Sequence, residues 1–209
     1  MPEITLADEF GQAIARTILT FGYSTAIEIG SWDGSGSTAI LANTLPRASG
    51  TPRLTCLESE RDRFDRLKAR YADIPWVVCH HGSSISLASL TPQSWDDVWM
   101  SPHNRLRYPE EQVRGWWEQT LAYLATVPAG YLEDNPDERY DVALIDGGEF
   151  SGWDEYLLLR ERVRCLMLDD VFSAYKCARA HDSLRGRQEW TCVWSSAFVR
   201  NGAAIWVKA

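Results

Sequence analysis

A glycine-rich segment preceded by a carboxylate is the pattern with the clearest chemistry in this chain. Gly30, Gly34 and Gly36 follow a short apolar stretch, and Glu28 stands just before them. Glycines at such a point let the backbone approach a ligand closely, and the start of a following helix favours polar or anionic groups. The pattern, which runs from Glu28 to Ser37, therefore predicts a site for a small polar molecule.

A second acid leaves two kinds of ligand open. Glu58 ends the next apolar stretch, where it could accept hydrogen bonds from two ribose hydroxyls. Gly34 and Gly36, followed by Ala39, also satisfy the dinucleotide fingerprint with Glu58 downstream. Glu28 favours the other ligand, because a carboxylate at a strand end can hold the ammonium of an amino acid but would repel a pyrophosphate.

Three further carboxylates predict either a metal site or two simpler roles. Asp146, Asp169 and Asp170 end two later apolar stretches, and ligands of open α/β sheets bind at the carboxyl ends of strands. Three carboxylates suit Mg²⁺ or a similar divalent ion. Alternatively, Asp169 and Asp170 cap the following helix and Asp146 only orients the bound ligand. The sequence leaves both interpretations open.

A tryptophan-rich segment, at about 91–137, separates the third and fourth apolar stretches. Aromatic faces with polar tips suit a sugar or an aromatic ring, and a small satellite core is the alternative. We favour the core for Trp117, which lies on the apolar face of a predicted helix. The segment precedes a strand, so we expect an insertion or lid over the carboxyl edge of the sheet. Its notable residues are Trp95, Trp99, His103, Arg105, Arg107, Tyr108, Trp116 and Trp117.

Helical and strand patterns alternate along most of the chain, which predicts a parallel sheet covered on both faces. The last two strands have no helix between them, so we expect them to pair antiparallel at the edge of the sheet. Helices are predicted from Leu6 to near Gly22, at Thr38–Leu45, around Phe64–Tyr71, from Pro109, at Trp153–Arg162 and at Ala174–Leu184. Strands are predicted at Ser24–Ile29, Leu54–Glu58, Trp76–Cys79, Asp141–Asp146, Cys165–Asp169, Thr191–Trp194 and Ala203–Val207.

Length and charge narrow the class of protein. The 209 residues predict a single domain, 1–209, and the net charge of −8 argues against a nucleic-acid partner. No stretch is long and apolar enough to span a membrane, and residues 1–4 do not resemble a signal peptide. The five cysteines form no C-x-x-C pair, which is typical of reduced thiols in a cytoplasmic protein.

These motifs together resemble the class I S-adenosylmethionine-dependent methyltransferases, and among them the catechol-type and sugar O-methyltransferases, some of which bind a divalent metal. The resemblance spans nearly the whole chain, since the closing antiparallel strand pair distinguishes that family from a plain dinucleotide fold. It implies a Rossmann-like fold with a mostly parallel seven-stranded sheet. The matching segments are Glu28–Ser37, Leu57-Glu58, Ile145-Asp146-Gly147 and Leu168-Asp169-Asp170-Val171.

The resemblance implies roles for individual residues. The glycine segment, with Ser31 and Ser37, would hold the methionine part of S-adenosyl-L-methionine, Glu58 the ribose, and Ser83 and Ser84 the adenine. Asp146 would contact the cofactor and act in catalysis. A metal on Asp146, Asp169 and Asp170 would acidify the substrate hydroxyl.

The chain departs from this family in one place. Relatives usually continue Ile-Asp-Gly with Asp-His or Asp-x-Tyr, whereas this chain continues with Gly148 and Glu149. Glu149 could be the general base or a fourth metal ligand, or the site could be degenerate. We therefore predict O-methylation of a small-molecule hydroxyl, with two alternatives left open: a metal-independent enzyme that uses Glu149 or His103 as base, and a non-catalytic cofactor-binding module. The oligomeric state is also left open, with a homo-oligomer as one option.

Overall fold

A computed structural model describes residues 3–101, 108–127 and 130–209. Seven strands form one sheet in the order β3-β2-β1-β4-β5-β7-β6. The first five are parallel to one another, and β7 is antiparallel to both β5 and β6; the parallel sheet and the antiparallel pairing of β6 with β7 are as predicted. The strands are β1 (Thr25–Ile29), β2 (Arg53–Glu58), β3 (Val77–His81), β4 (Tyr140–Ile145), β5 (Val163–Asp169), β6 (Trp190–Ser196) and β7 (Ala203–Lys208).

The helices lie on both faces of this sheet. Two clusters of buried apolar side chains separate them from the strands, and both clusters draw residues from β1, β2, β4, β5 and β7. This arrangement explains why the central strands are apolar along their whole length instead of alternating. The helices are α1 (Glu9–Phe21), α2 (Ser37–Thr44), α3 (Arg61–Arg70), α4 (Trp95–Met100), α5 (Glu110–Leu124), α6 (Tyr131–Asp134), α7 (Gly152–Leu159) and α8 (Ala178–Arg185).

Most predicted elements are confirmed within a few residues, and three boundaries differ. Leu6 lies outside α1 and is exposed, and α7 ends at Leu159 instead of Arg162. The third difference concerns function. The helix predicted from Ala174 begins only at Ala178, because the preceding residues form turns whose backbone N–H groups donate to the carbonyl of Ser173.

The topology determines where a ligand can bind. All five parallel strands end at one edge of the sheet, and the order reverses between β1 and β4, where the connections leave in opposite directions. Such a reversal opens a crevice at the carboxyl ends of the strands. Within the described part of the chain, no helix is long and apolar enough to cross a membrane.

Candidate active site

The glycine segment connects β1 to α2 and lies against the end of β4. Gly30 has φ +87°, and a β-carbon there would lie 2.1 Å from the carbonyl oxygen of Asp146. The backbone N–H of Asp146 donates to the carbonyl of Ile29 at 3.0 Å, which fixes this approach. Gly34 also has a positive φ and is packed against Tyr71 of the segment after α3, whose hydroxyl donates to the Gly34 carbonyl at 2.6 Å. The tight contact at Gly30 brings the predicted cofactor segment next to the predicted catalytic aspartate.

Glu58 lies at the end of β2 and joins this segment through its carboxylate. One carboxylate oxygen accepts the backbone N–H of Trp32 at 2.8 Å, and the other accepts that of Glu60 at 2.8 Å. The side chain is buried, yet each oxygen retains a lone pair for a further donor. Glu58 is therefore held in a fixed orientation beside the glycine segment.

Two buried polar atoms beside Gly30 lack partners among the described residues. Oε2 of Glu28 accepts the hydroxyl of Thr38 at 2.6 Å, but its Oε1 makes no hydrogen bond there, and neither does Oγ of Ser31. Burial raises the pKa of the Glu28 carboxyl. Buried polar atoms are normally paired, so a carboxylate oxygen and a hydroxyl left open in one place fit an amino-acid ligand.

Ser83 and Ser84 follow β3, as the sequence predicted. Ser84 is buried and its hydroxyl donates to Glu155 of α7 at 2.5 Å. Ser83 is half-buried, and its Oγ accepts the backbone N–H of Ile85 at 3.4 Å. Burial raises the pKa of Glu155, whose second oxygen has no partner among the described residues. The proposed contact of both serines with adenine remains a prediction.

The three aspartates predicted as metal ligands do lie together. Their carboxylate oxygens are within 4.8 Å of one another at the ends of β4 and β5. Burial and the charge of Asp169 raise the pKa of Asp146, and the nearby ammonium of Lys176 opposes this shift. Carboxylates packed this closely repel one another unless cations separate them.

Side chains from two later segments hold these carboxylates. The guanidinium of Arg200 donates to both oxygens of Asp169, at 2.8 and 3.2 Å. Asn201 donates to one oxygen of Asp170 at 2.7 Å, and the ammonium of Lys176 donates to the other at 2.5 Å. Both oxygens of Asp169 and both oxygens of Asp170 are thus engaged by the protein itself.

Lys176 lies between two of the aspartates. Its ammonium is 2.5 Å from Asp170 and 3.9 Å from Asp146, and its side chain is only 13% exposed. Burial alone would lower the pKa of Lys176, but Asp146, Asp170 and Glu149 hold it well above the usual range. These carboxylates therefore favour the charged form of the lysine inside the cluster.

The backbone around the cluster is strained. Asp170 has φ 53° and Arg200 has φ 46°, in the region that side chains other than glycine rarely occupy. Such conformations cost about 1–3 kcal/mol each and persist where surrounding contacts enforce them. Here the side chains of both residues take part in the ion-pair network, and these contacts maintain the strained backbone conformations.

Glu149 lies beside this network. Its Oε2 is buried without a partner among the described residues. Burial raises the pKa of this carboxyl, whereas Lys176 lowers it. The next residue, Phe150, has φ 74° and donates its backbone N–H to the carbonyl of Tyr175 at 2.7 Å, so the ends of β4 and β5 are tied together there.

The position of Lys176 conflicts with the metal interpretation of this cluster, one of the two that the sequence leaves open. A Mg²⁺ ion needs carboxylate oxygens at about 2.0–2.1 Å. The hydrogen bonds to Asp169 and Asp170 leave each of their oxygens a further lone pair, so the position of Lys176 decides whether an ion fits. An ion bound between Asp146 and Asp170 would also meet the ammonium of Lys176, which occupies that space. Two like charges at such short range would repel each other strongly.

The aromatic segment packs against the loops that follow β4 and β5. Trp117 contacts Phe150 edge-on with ring centroids 5.1 Å apart, and Trp116 contacts Tyr175 at 6.5 Å. The rings of Trp95 and Trp99 stack with centroids 6.1 Å apart. Like Trp117, both are partly buried against one of the two clusters of buried apolar side chains. Residues 102–107 lie outside the described part of the chain, and with them the predicted His103, Arg105 and Arg107.

A cavity of about 420 Å³ lies between the segment 91–101 and the segments that follow β4 and β5. Lys176 is one of its lining residues, so the cavity and the ion-pair network share a residue. Its wall is mixed, with aromatic faces next to hydroxyl, amide and charged groups, as a hydroxyl-bearing molecule would require. Lining residues include Thr91, Gln93, Phe150, Trp153, Tyr175 and Arg179.

Sequence reasoning missed Lys176, Arg200 and Asn201. Lys176 falls inside the helix that the sequence predicts at Ala174–Leu184, and Arg200 and Asn201 lie between the last two predicted strands. The available signal was chemical, because a trio of buried carboxylates requires cations nearby. The segments after β5 and before β7 were the places to look for them.

Comparison with known proteins supports the fold. No family model matches the chain, and no curated protein matches it in sequence. Its structure is similar to an O-methyltransferase from Bacillus cereus in complex with SAH (15% identity, 100% of this chain and 84% of that one, TM-score 0.63). It is also similar to the O-methyltransferase TomG from Streptomyces achromogenes in complex with SAM (16%, 100% and 83%, TM-score 0.61). A methyltransferase from Geobacter sulfurreducens is a further match (11%, 98% and 82%, TM-score 0.56).

These matches agree in architecture along almost the entire chain. The protein therefore has the Rossmann-like fold of the class I S-adenosylmethionine-dependent methyltransferases, which confirms the fold predicted from the motifs. At 11–16% identity the likeness defines the fold, and the chemistry has to be argued from the site.

Proposed function

We propose that the protein is an S-adenosylmethionine-dependent methyltransferase acting on a hydroxyl group of a small molecule, a sugar or an aromatic compound. One observation carries the proposal: the tight approach of Gly30 to Asp146 joins the cofactor segment to the aspartate cluster, and Lys176, which is paired with that cluster, lines the cavity. A donor and an acceptor bound on either side of that contact would meet at the carboxyl edge of the sheet, where ligands of this fold class bind.

One group of residues suits the cofactor and another suits the acceptor. The open atoms of Glu28 and Ser31 suit the amino-acid end of the cofactor, with Gly34, Gly36 and Ser37 in the same segment, and Glu58 suits the ribose hydroxyls. When bound, S-adenosylmethionine supplies a methyl group whose carbon–sulfur bond breaks as a carbon–oxygen bond forms. Rate enhancement then comes from positioning and from control of charge.

Glu149 is the group that would take the proton of the acceptor hydroxyl. Its unpartnered oxygen can accept a hydrogen bond, and its raised pKa brings the carboxyl closer to the range of an effective base. Asp146 would help to orient the reacting groups. The substrate-binding surface would be the cavity, with Phe150 and Trp153 offering ring faces.

The free cysteines and the net charge suggest where the protein acts and what it binds. We place the reaction in the cytoplasm, because all five cysteines are free thiols. The expected partner is a small-molecule acceptor, since the net charge of −8 disfavours a nucleic acid. A homo-oligomer stays a prediction.

Binding calorimetry tests the cofactor, and label transfer tests the reaction. We expect the protein to bind S-adenosylmethionine and S-adenosylhomocysteine and to bind NAD more weakly than either. Transfer of a labelled methyl group to a member of a panel of sugars and phenols would support the enzyme. Binding without transfer to any of them would favour a non-catalytic module, and tighter binding of NAD would refute the cofactor assignment.

A further inference from the structure

The carboxylate cluster carries its own cation. Lys176 approaches Asp170 to 2.5 Å and Asp146 to 3.9 Å, while Arg200 and Asn201 engage the remaining oxygens of Asp169 and Asp170. We propose that Lys176 takes the place of a divalent metal in this site, so that the protein neither binds nor needs one. The proposal rests on the proposed function only for the reaction; the exclusion of metal follows from the contacts alone.

The surroundings of Lys176 explain why its position is stable. The residue lies in the turn before α8, and its backbone N–H donates to the carbonyl of Ser173 at 3.1 Å. The turn directs the side chain toward the ends of β4 and β5, where it is nearly buried. An ammonium there offsets the repulsion between the carboxylates as a metal ion would, without the water ligands that Mg²⁺ retains.

Lys176 also lines the cavity that we assign to the acceptor. An ammonium has three N–H donors, and only the contact with Asp170 is short enough for a hydrogen bond, so a donor is left for an acceptor oxygen beside the longer ion pair with Asp146. As the hydroxyl loses its proton to Glu149, the oxygen becomes more negative, and a fixed positive charge stabilises it. Lys176 is therefore proposed to perform the charge stabilisation that a metal performs in other enzymes.

Mn²⁺ binding by the purified protein, without cofactor or acceptor, tests the exclusion. We expect the wild-type protein to show no Mn²⁺ binding by electron paramagnetic resonance and no change in Tm when Mn²⁺ is added. Lys176→Met removes the ammonium at similar side-chain length. This variant should have a lower Tm that rises with Mn²⁺, and an affinity for Mn²⁺ at least tenfold higher than that of the wild type.

Two further variants serve as controls. Lys176→Arg keeps a cation in the cluster and should remain unable to bind Mn²⁺, and Lys68→Met changes an exposed lysine of α3 and should behave like the wild type. Tight binding of Mn²⁺ by the wild type would overturn the proposal, and so would a folded Lys176→Met variant without gained affinity. If Lys176→Met does not fold, Lys176→Gln replaces it under the same criteria. None of these results depends on methyl transfer, so the proposal can fail while the proposed function stands.

Discussion

The two sides of the candidate active site are built in different ways. On the cofactor side, backbone contacts position the residues. Gly30 approaches β4 closely, and the backbone N–H groups of Trp32 and Glu60 donate to the carboxylate of Glu58. On the acceptor side, the aspartates are held by side chains from separate loops, chiefly Lys176 and Arg200. The cofactor side is thus local in sequence, whereas the acceptor side depends on tertiary contacts.

The largest effect should come from the backbone of the cofactor side. Gly30→Ala places a β-carbon 2.1 Å from a backbone oxygen in a left-handed conformation, so strain and steric overlap add. We expect a loss of roughly 3 kcal/mol or more in the free energy of unfolding, measured in urea. Gly115→Ala, in α5, is the control, because a β-carbon there would meet nothing within 4 Å. This substitution should stabilise the helix by about 0.5–1 kcal/mol. Equal stability of both variants would contradict the tight contact.

The next effect concerns cofactor affinity. Glu58→Ala removes the carboxylate that accepts two backbone N–H groups and faces the proposed ribose. Losing such a buried partner costs about 1–3 kcal/mol, so S-adenosylhomocysteine should bind roughly tenfold more weakly or worse in calorimetry. Glu111→Ala, on the exposed first turn of α5, should leave the affinity unchanged. Unchanged binding by Glu58→Ala in a folded protein would refute the ribose assignment.

A smaller effect should appear as a pH dependence of stability. Burial raises the pKa of Glu155 in the folded state, so its contribution to stability is complete below the unfolded pKa and is lost as pH rises through the folded one. Glu155→Gln cannot ionise. Between about pH 4 and pH 8 the variant should therefore lose less stability than the wild type, as measured by Tm. Glu118→Gln, on an exposed face of α5, should follow the wild-type curve, and parallel curves for all three proteins would contradict the prediction.

The strands, the cofactor side of the site and the grouping of the aspartates could be predicted from the sequence. The strands and the cofactor segment are local patterns, and Gly30 and Glu58 are recognisable from their neighbours alone. The grouping of Asp146, Asp169 and Asp170 followed from one rule, that parallel strands end at the same edge.

The cations of the acceptor side could not be predicted in this way. Lys176 depends on where α8 begins, and a shift of four residues changes an expected helical position into a turn. Arg200 reaches Asp169 only because β7 inserts between β5 and β6, a pairing that depends on the whole sheet. The sequence therefore leaves the metal and the non-metal interpretation of the carboxylates open, because it does not show which cations lie beside them.

Methyl transfer in the presence of excess chelator tests the central claim most directly. The protein, S-adenosylmethionine carrying a labelled methyl group and a responsive hydroxyl acceptor would be assayed with chelator alone and then with Mg²⁺ or Mn²⁺ in excess of it. We predict the same rate under both conditions, because Lys176 supplies the positive charge of the site. A rate that vanishes with chelator and returns with the metal would contradict the account.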